Sequence, residues 1–185
     1  MRVGMLGVVA GLMIGTVANA DASVQDDLHV AYREDVNEVT RYLAFADQAE
    51  REGHAHAARL FRATAEAERV RARGHGRALR RLGMEPGAAA PGEVVVKDTR
   101  WNLLRTLAHE GAELRRGDPS GDAQARAAHA ELVTLYREAI RDLREGRPGH
   151  GDLHVCGTCG HVTRGPAPDR CPVSRSPAAA FARVD

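Results

Sequence analysis

The stretch Leu60 to His75, LFRATAEAERVRARGH, constrains the fold more than any other in the chain. Leu60, Phe61, Thr64, Ala65 and Ala72 fall at helical spacing. With 3.6 residues per turn, Phe61, Thr64, Glu68, Arg71 or Ala72, and His75 share one stripe. The stripe that should face a core therefore carries a carboxylate. A buried carboxylate is costly unless it meets a cation or a metal. Glu-x-x-His at such a place is a metal-ligand pattern on a bundle helix. Here the turn reads Glu68-x-x-Arg71. It offers one oxygen ligand and a guanidinium, which stays charged and cannot coordinate a cation.

Three further helices are predicted around this one. The first runs from about Val24 to Glu52 and stops at Gly53, with Leu28, Ala31, Asp35, Tyr42 and Ala46 on its stripe. The helix holding Glu68 runs from about His54 to Leu82 and ends at Gly83. The Pro-, Gly- and Ala-rich stretch MEPGAAAPGEVVV follows as a linker. A third helix is predicted from Thr99 to Arg116 with Leu103, Leu107, Glu110 and Leu114 inward, broken by Gly117-Asp118-Pro119. The fourth runs from about Asp122 to Glu145, with Ala125, His129, Leu132, Tyr136, Ala139 and Leu143 inward. Aromatic residues are only 4% of the chain, while Ala, Arg, Leu and Glu abound, so the core is expected to be built from helix formers and not from β-branched or aromatic strands. Two helical hairpins joined by a long connection predict an all-α four-helix bundle of ferritin-like type over residues 24–146.

The hairpins echo each other. Asp27-Leu28 then Asp35 repeats as Asn102-Leu103 then Glu110, and Glu38 repeats as Glu113. The second helix of each hairpin adds Glu68 with Arg71, or Arg126 with His129. A single acid on an apolar stripe is usually an edge residue. Acids and an imidazole recurring on four helices instead suggest a two-metal site, and hard carboxylates with histidine suit iron or manganese.

Both ends differ from this middle. Residues 1–20, MRVGMLGVVAGLMIGTVANA, open with Arg2, continue apolar, and close on Ala18-Asn19-Ala20 before Asp21. They read as a secretory signal peptide, with an uncleaved anchor as the alternative. An exported, periplasmic protein is expected. The balance of 26 basic and 25 acidic residues predicts no nucleic-acid partner. At the other end, 150–185 contain all three cysteines. Cys156-Gly-Thr-Cys159-Gly160 reads as a metal knuckle. Its counterpart is Cys171-Pro172-Val173-Ser174, in which an oxygen stands in the fourth position. Ser174 would ligate weakly there, or His154 or His161 would stand in. A Cys156–Cys159 disulfide is the competing reading.

In their order, RYLAFADQAEREG at 41–53, LFRATAEAERVRARGH at 60–75, NLLRTLAHEGAE at 102–113 and HVCGTCGHVTRGPAPDRCPVSRSPAAAFARV at 154–184 resemble the rubrerythrin family. The resemblance implies a ferritin-like diiron bundle followed by a small rubredoxin-like metal-knuckle module. It implies bundle ligands at Asp35, Glu38, Glu68, Glu110, Glu113 and His129. It implies knuckle ligands at Cys156, Cys159, Cys171 and Ser174. Arg71, Arg126 and Ser174 stand where the family pattern has other ligands. Non-haem iron at both centres is the cofactor implied, with zinc as the alternative. The activity implied is peroxidase-type: reduction of hydrogen peroxide with electrons from a donor the sequence does not identify, in a homodimer. The substituted ligands also admit a metal-sequestering protein without turnover, or a metal-free bundle in which Arg71 and Arg126 satisfy the acids.

Overall fold

The computed structural model describes residues 15–88, 92–116 and 123–185. Helix α1 spans Gly15–Arg51, α2 Ala55–Arg81, α3 Thr99–Arg116 and α4 Ala123–Arg144. Strands β1 (Leu153–Cys156), β2 (Val162–Arg164) and β3 (Phe181–Val184) follow, with a short 3-10 turn at Ala178–Ala180. The third helix has the bounds expected from sequence. The first starts earlier than expected, at Gly15 instead of near Val24. Residues 15–20 of the expected leader therefore continue α1, and 1–14 lie outside the described residues. No described helix is long and apolar enough to cross a membrane.

α1, α2 and α4 end in one way. Gly53, Gly83 and Gly146 take positive φ, and the next N–H reaches back to a carbonyl five residues earlier: His54 to Ala49, Met84 to Leu79, Arg147 to Asp142. This closure satisfies carbonyls that a helix end leaves open. The link from α2 to α3 runs back along α1. Pro86 lies near Gly76. The Gly92 N–H donates to Asn37 Oδ1 at 3.3 Å, and the Thr99 N–H donates to Glu52 Oε2 at 2.8 Å. α3 thus begins at the end of the bundle where α1 finishes.

The core follows from the few large side chains. Tyr42, Phe45, Phe61 and Tyr136 are buried in a chain of tilted ring contacts, with centroids 6.3, 5.4 and 5.8 Å apart. Around them pack Leu60, Leu103, Leu132 and a set of alanines from α2. Trp101 also packs against this core, with Lys97 and Arg105 over its ring.

The strands form an antiparallel sheet in the order β2-β1-β3. Leu153, Val155 and Val162 belong to the same buried cluster as the helices. The C-terminal module is seated on the bundle instead of hanging from it. One close approach is at Gly160, with φ +77°, where an added Cβ would lie 2.8 Å from the carbonyl oxygen of Ala67. His56 lies half-buried at this junction with its ring against Gly149. The sequence held no signal for that contact, because Gly149 belongs to the segment after α4.

Candidate metal centres

The bundle interior holds the acids expected from sequence, each already engaged. Glu68, on the buried face of α2, is 4% exposed. Arg71, one turn later, clamps it: Nε donates to Oε2 at 2.9 Å and Nη2 to Oε1. Burial pushes the Glu68 carboxyl up, Arg71 pulls it down, and the balance is about 7. Burial also opposes the Arg71 charge, but Glu68 outweighs it and the guanidinium is held protonated. Glu110 on α3 is 1% exposed. Its Oε2 lies 2.7 Å from His129 Nδ1 on α4, and its Oε1 accepts from the Tyr42 hydroxyl at 3.3 Å. Burial raises the Glu110 pKa, yet the His129 hydrogen bond and the Arg71 charge leave it below the ordinary value.

Asp35 and Glu38 lie on α1. Asp35 Oδ2 is 2.8 Å from His75 Nδ1 on α2. Glu38 Oε1 accepts from Arg41 and lies 4.0 Å from His109 Nε2. Its Oε2 is buried without a hydrogen-bond partner among the described residues. Glu113 is half-buried on α3. Arg126 is exposed. The stripe reading had placed Arg126 inside with His129, but the helix turns it outward, so it does not satisfy the interior acids. His75 and His109 were not among the expected ligands. His75 follows Glu68 by two turns on the stripe already recognised, so its position was readable. Its partner Asp35, 40 residues away, was not.

The knuckle is built differently. Cys156 ends β1, and a turn brings the chain back into β2. The Gly160 N–H donates to the Cys156 carbonyl at 2.8 Å, and the Cys156 N–H to the His161 carbonyl at 2.9 Å. Across from it, the Ser174 N–H donates to Cys171 Sγ at 3.4 Å and the Arg175 N–H to the Cys171 carbonyl at 3.0 Å. Cys159 Sγ and Cys171 Sγ lie 3.6 Å apart, and Cys156 Sγ is 3.5 Å from Ser174 Oγ. All three thiols are free, so the competing disulfide is not formed. Burial works against ionising Cys156. Hydrogen bonds from the Ser174 hydroxyl and from backbone N–H groups outweigh it and bring the pKa down to about 7. Ser174 also bonds Ser176 at 3.0 Å, which reaches Thr158 at 2.9 Å. This hydroxyl chain ties the two halves of the knuckle together. His154 and His161 each keep a buried Nδ1 without a partner among the described residues.

A sequence profile of the rubrerythrin family matches residues 26–141, well over half of the chain. The chain belongs to the rubrerythrin family. The family binds iron at a paired site in the bundle and at a rubredoxin-like site. Nigerythrin of Nitratidesulfovibrio vulgaris strain Hildenborough is 28% identical to this rubrerythrin-family chain over 186 residues, covering 91% of it and 90% of nigerythrin. Two solved nigerythrin structures share the fold. The mixed-valence state superposes with a TM-score of 0.68 at 24% identity, covering 86% of this chain and 85% of that one. The fully reduced, all-ferrous state gives 0.69 at 23% identity with the same coverage.

The two centres differ in how well their residues fit iron. Tetrahedral thiolates at about 2.3 Å from a metal stand about 3.8 Å from one another. The Cys159–Cys171 separation of 3.6 Å is close to that. Cys156, Cys159 and Cys171 have ligand atoms all within 4.8 Å of one another, with Ser174 Oγ as the fourth donor beside Cys156. The knuckle therefore fits. Among the described residues no set of three bundle carboxylates and histidines meets the same test. There the donor set contains a fixed cation, Arg71, bound to both oxygens of Glu68. The bundle does not fit a pair of metals.

Proposed function

We propose that this protein is an iron redox protein whose working metal is held in the C-terminal knuckle. The convergence of three thiols and the Ser174 hydroxyl carries the reading. Iron bound there supplies a one-electron couple. Cys156 and Cys171 are buried, and Val173 packs beside them, which keeps water from two sulfurs. Cys159 is the more open of the three and forms the edge at which a donor's electron enters. Hydrogen peroxide is the proposed final acceptor. Two reduced chains give two electrons, two protons are taken up, and one peroxide leaves as two waters.

The test is anaerobic iron loading of the full chain. The expected product holds about one iron per chain, the number one tetrahedral knuckle accommodates. Its thiolate-to-iron absorption should bleach on reduction and return with peroxide. A protein that takes only zinc, or whose spectrum ignores reductant, would be a storage or structural metal protein.

Export to the periplasm belongs to the same proposal and rests on Ala18-Asn19-Ala20 at the end of the apolar start. The mature protein from its native host should begin at Asp21 by intact mass. A soluble form that retains residues 1–20 would contradict export. The homodimer is proposed on the long 83–97 connection, which leaves room for hairpins to exchange between chains.

A further inference from the structure

Arg71 occupies a singular position among the bundle's charges. Its guanidinium is bound to both oxygens of Glu68. Its charge is also felt by Glu110, and the Glu110 and Asp35 carboxylates in turn favour its protonated form. Other members of the set have partners of their own: Glu110 with His129 and Tyr42, Asp35 with His75, and Glu38 through Oε1 with Arg41, while Glu38 Oε2 has none among the described residues. A carboxylate this deep needs a positive partner, and in this interior the partner is covalently part of the chain.

We propose that Arg71 is the resident counter-ion of the bundle: it takes the place of a metal among Glu68, Glu110 and Asp35 and bars the interior to divalent cations. Two physical points lead there. A divalent ion entering this donor set would have to strip Glu68 from a two-point charge-assisted clamp, which is among the strongest pairings a carboxylate makes. It would also stand beside a guanidinium that cannot lose its proton to relieve the repulsion. The bundle is thereby a scaffold whose folding does not depend on metal, while the knuckle alone loads. This goes beyond the redox reading and does not require it. A knuckle that proved to hold zinc would leave Arg71's role untouched.

The test removes the knuckle from the count. In full-length protein carrying Cys156→Ala and Cys171→Ala, ferrous iron or manganese is added in excess. Bound metal is then measured after gel filtration, and the melting of the helical signal is followed with and without chelator. The expected result is less than about 0.2 metal per chain and a melting temperature unmoved by metal, because a ligand that does not bind the folded state cannot shift its stability. Uptake of one or two metals per chain, or a rise of several degrees on adding metal, overturns the proposal. In the same background Arg71→His is expected to gain at least about one metal per chain, together with a metal-dependent rise in melting temperature. A folded Arg71→His protein that gains neither overturns the role assigned to Arg71. Should that variant fail to fold, the metal count and melting of the Arg71-containing protein still decide.

Discussion

Gly160→Ala is expected to lift the C-terminal module off the bundle while leaving its metal in place. The new methyl would fall 2.8 Å from the Ala67 carbonyl oxygen and 3.3 Å from its Cα and carbonyl carbon, all backbone atoms that no rotamer change can move aside. The residue would also hold φ near +77° with a side chain. Left-handed backbone costs about 1–2 kcal/mol and overpacking about 1–3 kcal/mol, so a loss of about 3 kcal/mol is expected. Gly165→Ala is the control. It sits at φ +86° with nothing within 4 Å of the added atom, so it carries the backbone cost without the clash. The difference between the two variants in denaturant unfolding isolates the docking contact. Protease cleavage between α4 and β1, faster in Gly160→Ala than in Gly165→Ala, would show the same event directly. Equal stability of the two would mean that the module does not lean on Ala67.

Cys171→Ala should have the opposite signature: the bundle intact, the knuckle metal lost. The sulfur of Cys171 lies 3.6 Å from that of Cys159 and accepts the Ser174 N–H, so one substitution removes a thiolate and loosens the neighbouring donor. Changes one shell further out cost about 10–100-fold in metal affinity; loss of a thiolate from a site with three should cost more than about 100-fold. The buried cluster of the knuckle is only Cys156, Cys171 and Val173, with Cys159, Ala180 and Phe181 beside it. A core that small depends on its metal. The 153–185 backbone amides should therefore exchange faster with solvent in Cys171→Ala, while amides of α2 and α3 stay protected. Ser174→Cys tests the same site from the other side, because it puts a fourth thiolate in place of the Ser174 hydroxyl, which stands 3.5 Å from Cys156 Sγ, and should tighten iron binding. Unchanged metal content in Cys171→Ala would remove this cysteine from the site.

The helices were readable because their punctuation is local. Gly53 and Gly83 sit where a chain leaves a helix, and the apolar periodicity between them survives in the folded protein. The buried acids Glu68 and Glu110 were readable for the same reason, since 3.6-residue spacing fixes which face they share. What escaped depends on residues far apart in sequence. His75 meets Asp35 across 40 positions, and His56 meets Gly149 across the junction. Arg126 escaped differently. It lies only three residues before His129, and at that spacing periodicity alone does not separate an inward position from a solvent-facing one. The docking of the knuckle on Ala67 also has no local cause. It arises because a glycine turn and an alanine face happen to match in depth.

That match sets what this protein can tolerate by substitution. Thirteen residues of α2 are buried, and Ala57, Ala58, Ala63, Ala65, Ala67 and Ala72 are six of them. Their burial is spread round the helix, with the bundle on one side and the sheet on the other. Polarity therefore cannot be the main filter along this surface. Volume is. At Ala63, Ala65 and Ala67 serine or glycine should pass more easily than valine or leucine, although the latter are the more hydrophobic, because close-packed interiors have no room for added methylenes. A deep mutational scan of α2 would then be ordered by side-chain size.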